Sequence, residues 1–258
     1  MHWYDLEGNP KYEVPYAGKR KGMRPTTLRD ARKLLLLPSV TEVMKVMDKP
    51  GLNRWLQDRV LESALTLPRN NNETDDIYKA RIRQDSKEIS TLAMNTGTEI
   101  HDACEQVFKH KSMNVKNAKH RNIALKVYDT VAQEIGDEWI SEESFGCKLG
   151  FGGKVDLSKY NTILDFKTKE VLKPKMAFDE QLMQLVAYCV GLGYHIFETR
   201  FYNVFISWEG DIEIHEWKEL DDITRAWDMF KACLNMWQLK HRYNPVKEIE
   251  TKIKGETI

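Results

Sequence analysis

At residue 140 the spacing of apolar residues changes from a helical repeat to alternation, and this switch narrows the fold more than any other feature. Residues 140–148, 151–157 and 162–168 read as three short strands joined by turns rich in Gly, Ser and Asn. Before them lie two helical stretches, residues 85–111 and 119–135. In the first, Ile89, Leu92, Ala93, Ile100, Cys104 and Val107 form one stripe, and Thr96-Gly97 predicts a kink or a break into two helices. After the strands the period returns to helix over 178–191, strand over 201–207 and 212–217, and a long helix over 221–240. That order predicts an α/β sandwich around a mixed sheet. Near the start, a short helix is predicted over 27–37 and stopped by Pro38. Ser39 or Thr41 would cap the next, with Glu42 in its first turn. Asn70-Asn71-Asn72-Glu73 reads as a surface loop, and a boundary falls near 70–76.

Charge and cysteine usage exclude several classes of function. Lys+Arg and Asp+Glu both number 39, so the chain is not a globally basic DNA-coating protein, and a nucleic-acid partner would need a local basic patch. No run approaches the ~18 apolar residues of a membrane span. The opening Met-His-Trp-Tyr-Asp has neither the basic nor the apolar region of a secretory signal, so a cytoplasmic protein is expected. Cys104, Cys147, Cys189 and Cys233 are widely dispersed, which gives neither a metal knuckle nor a disulfide framework.

The sharpest local chemistry is Asp156, followed nine residues later by Asp165-Phe166-Lys167. Alternation along a strand puts Asp165 and Lys167 on one side of the sheet and Phe166 on the other. If the strands pair through the turn at 158–161, Asp156 lies across from Asp165. Two neighbouring carboxylates repel unless a divalent cation sits between them, and hard oxygen ligands suit Mg²⁺ or Mn²⁺. Such a site can polarise a phosphodiester and activate water, with the lysine steering or deprotonating the nucleophile. The same residues also fit a surface hairpin with an exposed ion pair, and both readings stand at this point. On the following helix Gln181, Gln184 and Tyr188 share a face, while Leu182, Val186 and Cys189 lie largely on others. His101 follows Gly97 on the earlier helix, with Glu105 one turn further on; a lone helical histidine fits a surface or core role as readily as a ligand.

Taken in order, Gly97-x3-His101, Gly153-x2-Asp156, Asp165-Phe166-Lys167 and Gln184-x3-Tyr188 resemble the RecB-like branch of the PD-(D/E)XK nuclease superfamily. Leu164-Asp165-Phe166-Lys167-Thr168-Lys169, Lys173-Pro174-Lys175 and Gln184-Leu185-Val186-Ala187-Tyr188 are similar to the mitochondrial genome maintenance exonuclease group and its phage relatives. Thr27-Leu28-Arg29-Asp30-Ala31-Arg32-Lys33 with Pro38-Ser39-Val40-Thr41 looks like the opening of such phage exonucleases. The resemblance covers 24–60 loosely and 95–195 with specific motifs, and it says little about the last fifty residues. It implies a restriction-endonuclease-like core over 76–258, a central mixed β-sheet flanked by helices, preceded by a basic, aromatic-containing segment over 1–75 acting as a DNA clamp. By that resemblance Asp156, Asp165, the Phe166 backbone carbonyl and His101 would hold Mg²⁺ or Mn²⁺. Lys167 would activate water, and Gln184 and Tyr188 would orient Lys167, the water or the DNA backbone. The activity implied is metal-dependent exonucleolytic cleavage of single-stranded or frayed DNA in phage-type replication, recombination or degradation. A double-strand exonuclease, a structure-specific endonuclease and a non-catalytic DNA-binding module are the alternatives. Some relatives bind an iron–sulfur cluster through four cysteines, three of them near the C terminus; here only Cys233 lies there, so no cluster is expected.

DNA contacts are expected from Lys169, Lys173 and Lys175 after the active strand and from Arg29, Arg32, Lys33, Ser39 and Thr41 in the N-terminal run. Lys19, Lys109, Lys111, Lys116, Lys119 and Arg121 would add to a groove, with Trp3, Tyr4, Tyr16 and Trp55 stacking on splayed bases. No membrane partner is expected, and a replication or single-strand binding protein partner is left open.

Overall fold

The computed structural model describes residues 1–18, 20–110 and 115–249. The chain opens with β1 (Trp3–Tyr4), β2 (Glu13–Pro15), β3 (Met23–Pro25), α1 (Leu28–Leu34), β4 (Leu37–Pro38) and α2 (Val40–Val43). Two longer helices follow, α3 (Pro50–Thr66) and α4 (Asp75–His110), and then α5 (Ala118–Glu134). The remainder is β5 (Ile140–Cys147), β6 (Phe151–Lys159), β7 (Thr162–Lys169), α6 (Asp179–Gly191), β8 (Arg200–Ser207), β9 (Ile212–Trp217) and α7 (Leu220–His241). Strands β5 to β9 form one five-stranded sheet in sequence order. Every neighbouring pair is antiparallel except β7 and β8, which run parallel with α6 as the crossover. The mixed sheet flanked by helices is thus present as the alternating and helical repeats predicted.

Two apolar layers fix the helices on opposite faces. On one face Phe151, Val155, Ile163 and Phe201 pack under Leu182 and Val186 of α6 and Phe230 and Trp237 of α7. On the other, Leu157, Leu164, Phe166 and Val204 pack against Ile100, Cys104 and Val107 of α4 and Val127 of α5. The N-terminal segment joins the first layer: Trp3, Ala31, Leu36, Val40 and Met44 belong to the same cluster. Tyr243 ties that segment to the end of α7, its single O–H shared between the carbonyls of Ala31 (3.0 Å) and Leu36 (2.8 Å).

Local chemistry accounts for the short helices. Thr27 caps α1 while the Asp30 carboxylate reaches back to the Thr27 N–H, and the helix ends where Leu35 turns left-handed at φ 56°. Ser39 caps α2 by accepting from the Glu42 N–H. Thr41 lies inside that helix rather than capping it.

One expectation fails. Helix α4 runs unbroken through Thr96-Gly97, from Asp75 to His110. Gly97 is a point of close approach instead: a Cβ there would lie 2.7 Å from the Thr168 hydroxyl, so the glycine lets α4 settle against β7.

Gly191 serves a similar end on the opposite layer, because an added Cβ would fall 2.0 Å from the Phe145 ring. Gly191→Ala is therefore expected to destabilise the fold by about 1–3 kcal/mol through overpacking. In thermal unfolding that should lower the midpoint by several degrees. An unchanged midpoint would show that the Phe145 ring moves aside freely.

Candidate active site

The site lies where β6 and β7 part company. Their antiparallel ladder pairs Lys159 with Thr162, Ser158 with Ile163 and Leu157 with Leu164, and it ends there. Continued by one step, that register would pair Asp156 with Asp165. Beyond this point β6 stays with β5 and β7 stays with β8, so the strands splay and leave their facing backbone groups without a ladder partner. Asp156 takes up one of these: its Oδ2 accepts the Phe166 N–H at 2.8 Å. The same oxygen lies 3.0 Å from His101 Nε2, which α4 presents from the other side.

Asp165 is 2% exposed and held from both of its oxygens. Gln184 Nε2 donates to Oδ1 at 2.9 Å, Asn203 Nδ2 donates to Oδ2 at 3.1 Å, and the Lys167 ammonium pairs with Oδ2. Lys167 also donates to Gln184 Oε1 at 3.1 Å, and Gln184 Nε2 donates to the Tyr188 hydroxyl at 2.8 Å. The sheet alternation thus delivers Asp165 and Lys167 to one face, and a 3.6-residue repeat brings Gln184 and Tyr188 over them. The reading of a solvated surface hairpin does not survive, since Asp165 and Tyr188 are buried. Gln181 stands apart: its Oε1 accepts the Phe178 N–H at 2.6 Å and anchors the start of α6.

Electrostatics follow the burial. The Asp156 charge raises His101 to about 9, against the opposing effect of desolvation. Burial pushes Asp156 up, but the His101 charge and hydrogen bond, Lys167 and the Phe166 N–H together hold it below the usual carboxylate range. Burial also pushes Asp165 up, to about 6; Lys167 opposes this and the charge of Asp156 adds to it. Tyr188 rises well above its ordinary value, chiefly through burial, with the charges of Asp165 and Asp156 contributing. At pH 7 the site holds two carboxylates, an imidazolium and Lys167, with Asp165 buried and the other three groups part-exposed.

Among the described residues no three His, Cys, Asp or Glu side chains are gathered at metal-coordinating spacing. His101 and Asp156 face each other directly, while Asp165 is turned to Lys167, Gln184 and Asn203. The donor chemistry still suits a hard divalent cation. A buried carboxylate, Asp165, and a part-buried one, Asp156, carry like charge and repel, an imidazole stands beside Asp156, and protein cations now supply the compensation a metal would give. An open cleft of about 480 Å³, lined by Ala93, Met94, Gly97, Thr98, His101 and Thr168, leads in from solvent.

The expected DNA-contact residues are more scattered. Lys169 is half-buried, with burial and then the neighbouring Lys167 lowering its pKa, and Lys173 and Lys175 are exposed. On α1, Arg29 and Lys33 are exposed, while Arg32 donates to the His241 carbonyl at the end of α7. Among the described residues none of these three makes a hydrogen bond or ion pair with the carboxylate site. Ser39 is buried beside Gly152 of β6, and Thr41 is exposed. Trp55 is half-buried under Arg59, and Tyr16 lies beneath Arg20. Trp3 (0% exposed) and Tyr4 (2%) are core residues, which removes them as stacking platforms for bases. Lys119 pairs with Glu209 and Lys109 with Glu105. Lys19 and Lys111 lie outside the described residues.

Two neighbours of the carboxylate site were not anticipated, Asn203 on β8 and Trp217 on β9, whose indole N–H donates to Asn203 Oδ1 at 2.9 Å. The available signal was an asparagine inside the otherwise apolar strand Phe201-Tyr202-Asn203-Val204-Phe205, where that residue type is disfavoured.

Among the described residues no helix is long and apolar enough to cross a membrane. No family model matches the sequence, and no curated protein matches it. A solved structure, "Crystal structure of SSO0001", is similar at 15% identity over 69% of this chain and 85% of that chain, with a TM-score of 0.32. A likeness of that size carries no argument about fold family or activity.

Proposed function

We propose that this chain is a metal-dependent deoxyribonuclease of the RecB-like PD-(D/E)XK kind, hydrolysing phosphodiesters from DNA ends that are single-stranded or frayed. The observation that carries the reading is the continuous network Asp165–Lys167–Gln184–Tyr188 beside the Asp156–His101 pair, set where β6 and β7 diverge. It draws on all four sequence motifs whose order resembles that superfamily, with Gln184 and Tyr188 reaching in from the α6 layer and His101 from the α4 layer. A structural ion pair needs neither the amide–phenol support nor a second carboxylate beside the buried one.

In this reading Asp156, Asp165 and His101 would hold Mg²⁺ or Mn²⁺, with the Phe166 carbonyl as a further oxygen donor. The bound cation supplies Lewis-acid stabilisation of charge developing on the phosphate. To serve as a ligand, His101 would release its proton to solvent and give up its hydrogen bond to Asp156. Gln184, fixed by Tyr188, holds the Lys167 ammonium through Oε1 and so directs it at the attacking water. The cleft between α4 and β7 gives the strand a path to these groups. Lys169 at the end of β7, with Lys173 and Lys175 beyond it, supplies local positive charge for phosphates in a chain of zero net charge.

The test is cleavage of end-labelled linear and circular single-stranded DNA with Mg²⁺, Mn²⁺ or EDTA. Linear strands should be degraded to short products with either metal and survive in EDTA, and circles should persist. Rapid cutting of circles would replace end-dependent action with endonucleolytic action. Binding of DNA without cleavage under any metal condition would leave a non-catalytic module.

A further inference from the structure

Asn203 is fully buried at the centre of β8, between apolar neighbours on a strand that faces helices on both sides. A buried amide in such a place costs stability unless its hydrogen-bonding groups are met. The parallel register sets Asn203 directly beside Asp165. Its Nδ2 lies 3.1 Å from Asp165 Oδ2, and its Oδ1 lies 2.9 Å from Trp217 Nε1. The orientation of the amide is settled by chemistry, because an indole nitrogen only donates. The oxygen must therefore face Trp217, which leaves the NH₂ group facing the carboxylate. Asp165 is thereby gripped by donors from three elements: Gln184 of α6 on Oδ1, and Lys167 of β7 and Asn203 of β8 on Oδ2.

These three donors are not equivalent. Lys167 and Gln184 are only part-buried, and both belong to the network that would attend the reacting water. Asn203 is fully buried and does not line the cleft, and its own orientation is fixed by Trp217 of β9.

We infer that Asn203, locked by Trp217, is a positioning residue that holds the plane of the Asp165 carboxylate for a divalent cation. The inference rests on the metal-dependent reading above. An outer hydrogen-bond partner of a ligand typically sets ~10–100-fold in metal affinity.

The test is Mn²⁺ titration by calorimetry without DNA, together with thermal unfolding in EDTA, on wild type, Asn203→Leu and Trp217→Phe. Asn203→Leu should weaken Mn²⁺ binding by about 10–100-fold. Trp217→Phe frees the amide to turn over, so it should weaken binding in the same direction by less. A merely structural role would lower the unfolding midpoint in EDTA and leave Mn²⁺ affinity unchanged. If Asn203→Leu does not fold, Trp217→Phe decides. Wild-type binding with unchanged affinity in the folded variants overturns this inference alone. A wild-type protein that takes up no Mn²⁺ overturns the metal-dependent reading beneath it, and this inference with it.

Discussion

Lys167→Ala is expected to lower the cleavage rate by on the order of 10³-fold or more while leaving Mn²⁺ affinity close to that of wild type. The separation follows from what an ammonium group can do. It has no lone pair to offer a cation, so removing it takes away no ligand. It does take away the group that Gln184 Oε1 holds at 3.1 Å and that Asp165 pairs with, at the spot where the attacking water would be held. With the lysine gone, Asp156 and Asp165 lose a compensating positive charge, and a divalent cation becomes a more favourable replacement. Metal affinity should therefore hold or rise. Asp165→Ala provides the contrast, because it deletes a ligand, and both cleavage and Mn²⁺ binding should fall. Single-turnover cleavage and calorimetric Mn²⁺ titration of the two variants separate the roles. Lys167→Ala cleaving within about tenfold of wild type would remove the lysine from the chemistry.

The site was legible where its signal was local. A period of two puts Asp165 and Lys167 on one face whatever the rest of the fold does, and four residues of helix align Gln184 with Tyr188. The short turn between β6 and β7 made Asp156 and Asp165 neighbours, and the ladder ends at the pair just before them. What sequence could not supply was contact between distant segments. Asn203 meets Asp165 only because β8 pairs in parallel with β7 after a helical crossover, and Trp217 reaches Asn203 only from the next strand. Gly97 looked like a helix breaker because glycine usually weakens a helix, yet the nearby Thr168 makes it a contact point within one long helix. Trp3 and Tyr4 looked like base-stacking surface in a basic segment. Trp3 instead packs edge-on against Trp237, more than two hundred residues away, and Tyr4 lies against Gly152.

Asp156→Asn should reduce cleavage by on the order of 10³-fold or more and also change how stability depends on pH. The amide keeps the size of the side chain and an oxygen able to accept the Phe166 N–H, so the splayed strands retain their link. It loses the negative charge that binds a hard cation and raises His101 to about 9. The sign of the pH effect follows from that rise. A histidine whose folded pKa lies above its ordinary 6.5 stabilises the fold fully below that value, and the benefit is lost as pH climbs through about 9. Metal-free wild type should therefore lose stability between these limits, by at most about 1.4 kcal/mol per pH unit for a single proton. Asp165, raised to about 6, adds a loss in the same direction at lower pH, between the ordinary carboxylate value of 3.8 and about 6. In Asp156→Asn the slope above 6.5 should flatten. The gap between variant and wild type in EDTA should be wide near pH 6 and nearly closed by about pH 9.5. A cation that needs neutral His101 must displace its proton, so wild-type Mn²⁺ affinity should increase across the same window, whereas the variant should bind weakly throughout. Thermal unfolding in EDTA and Mn²⁺ titration at stepped pH read both effects. Persistence of the wild-type pH slope in Asp156→Asn would show that another partner holds the His101 proton, and cleavage within about tenfold of wild type would remove Asp156 from the metal site.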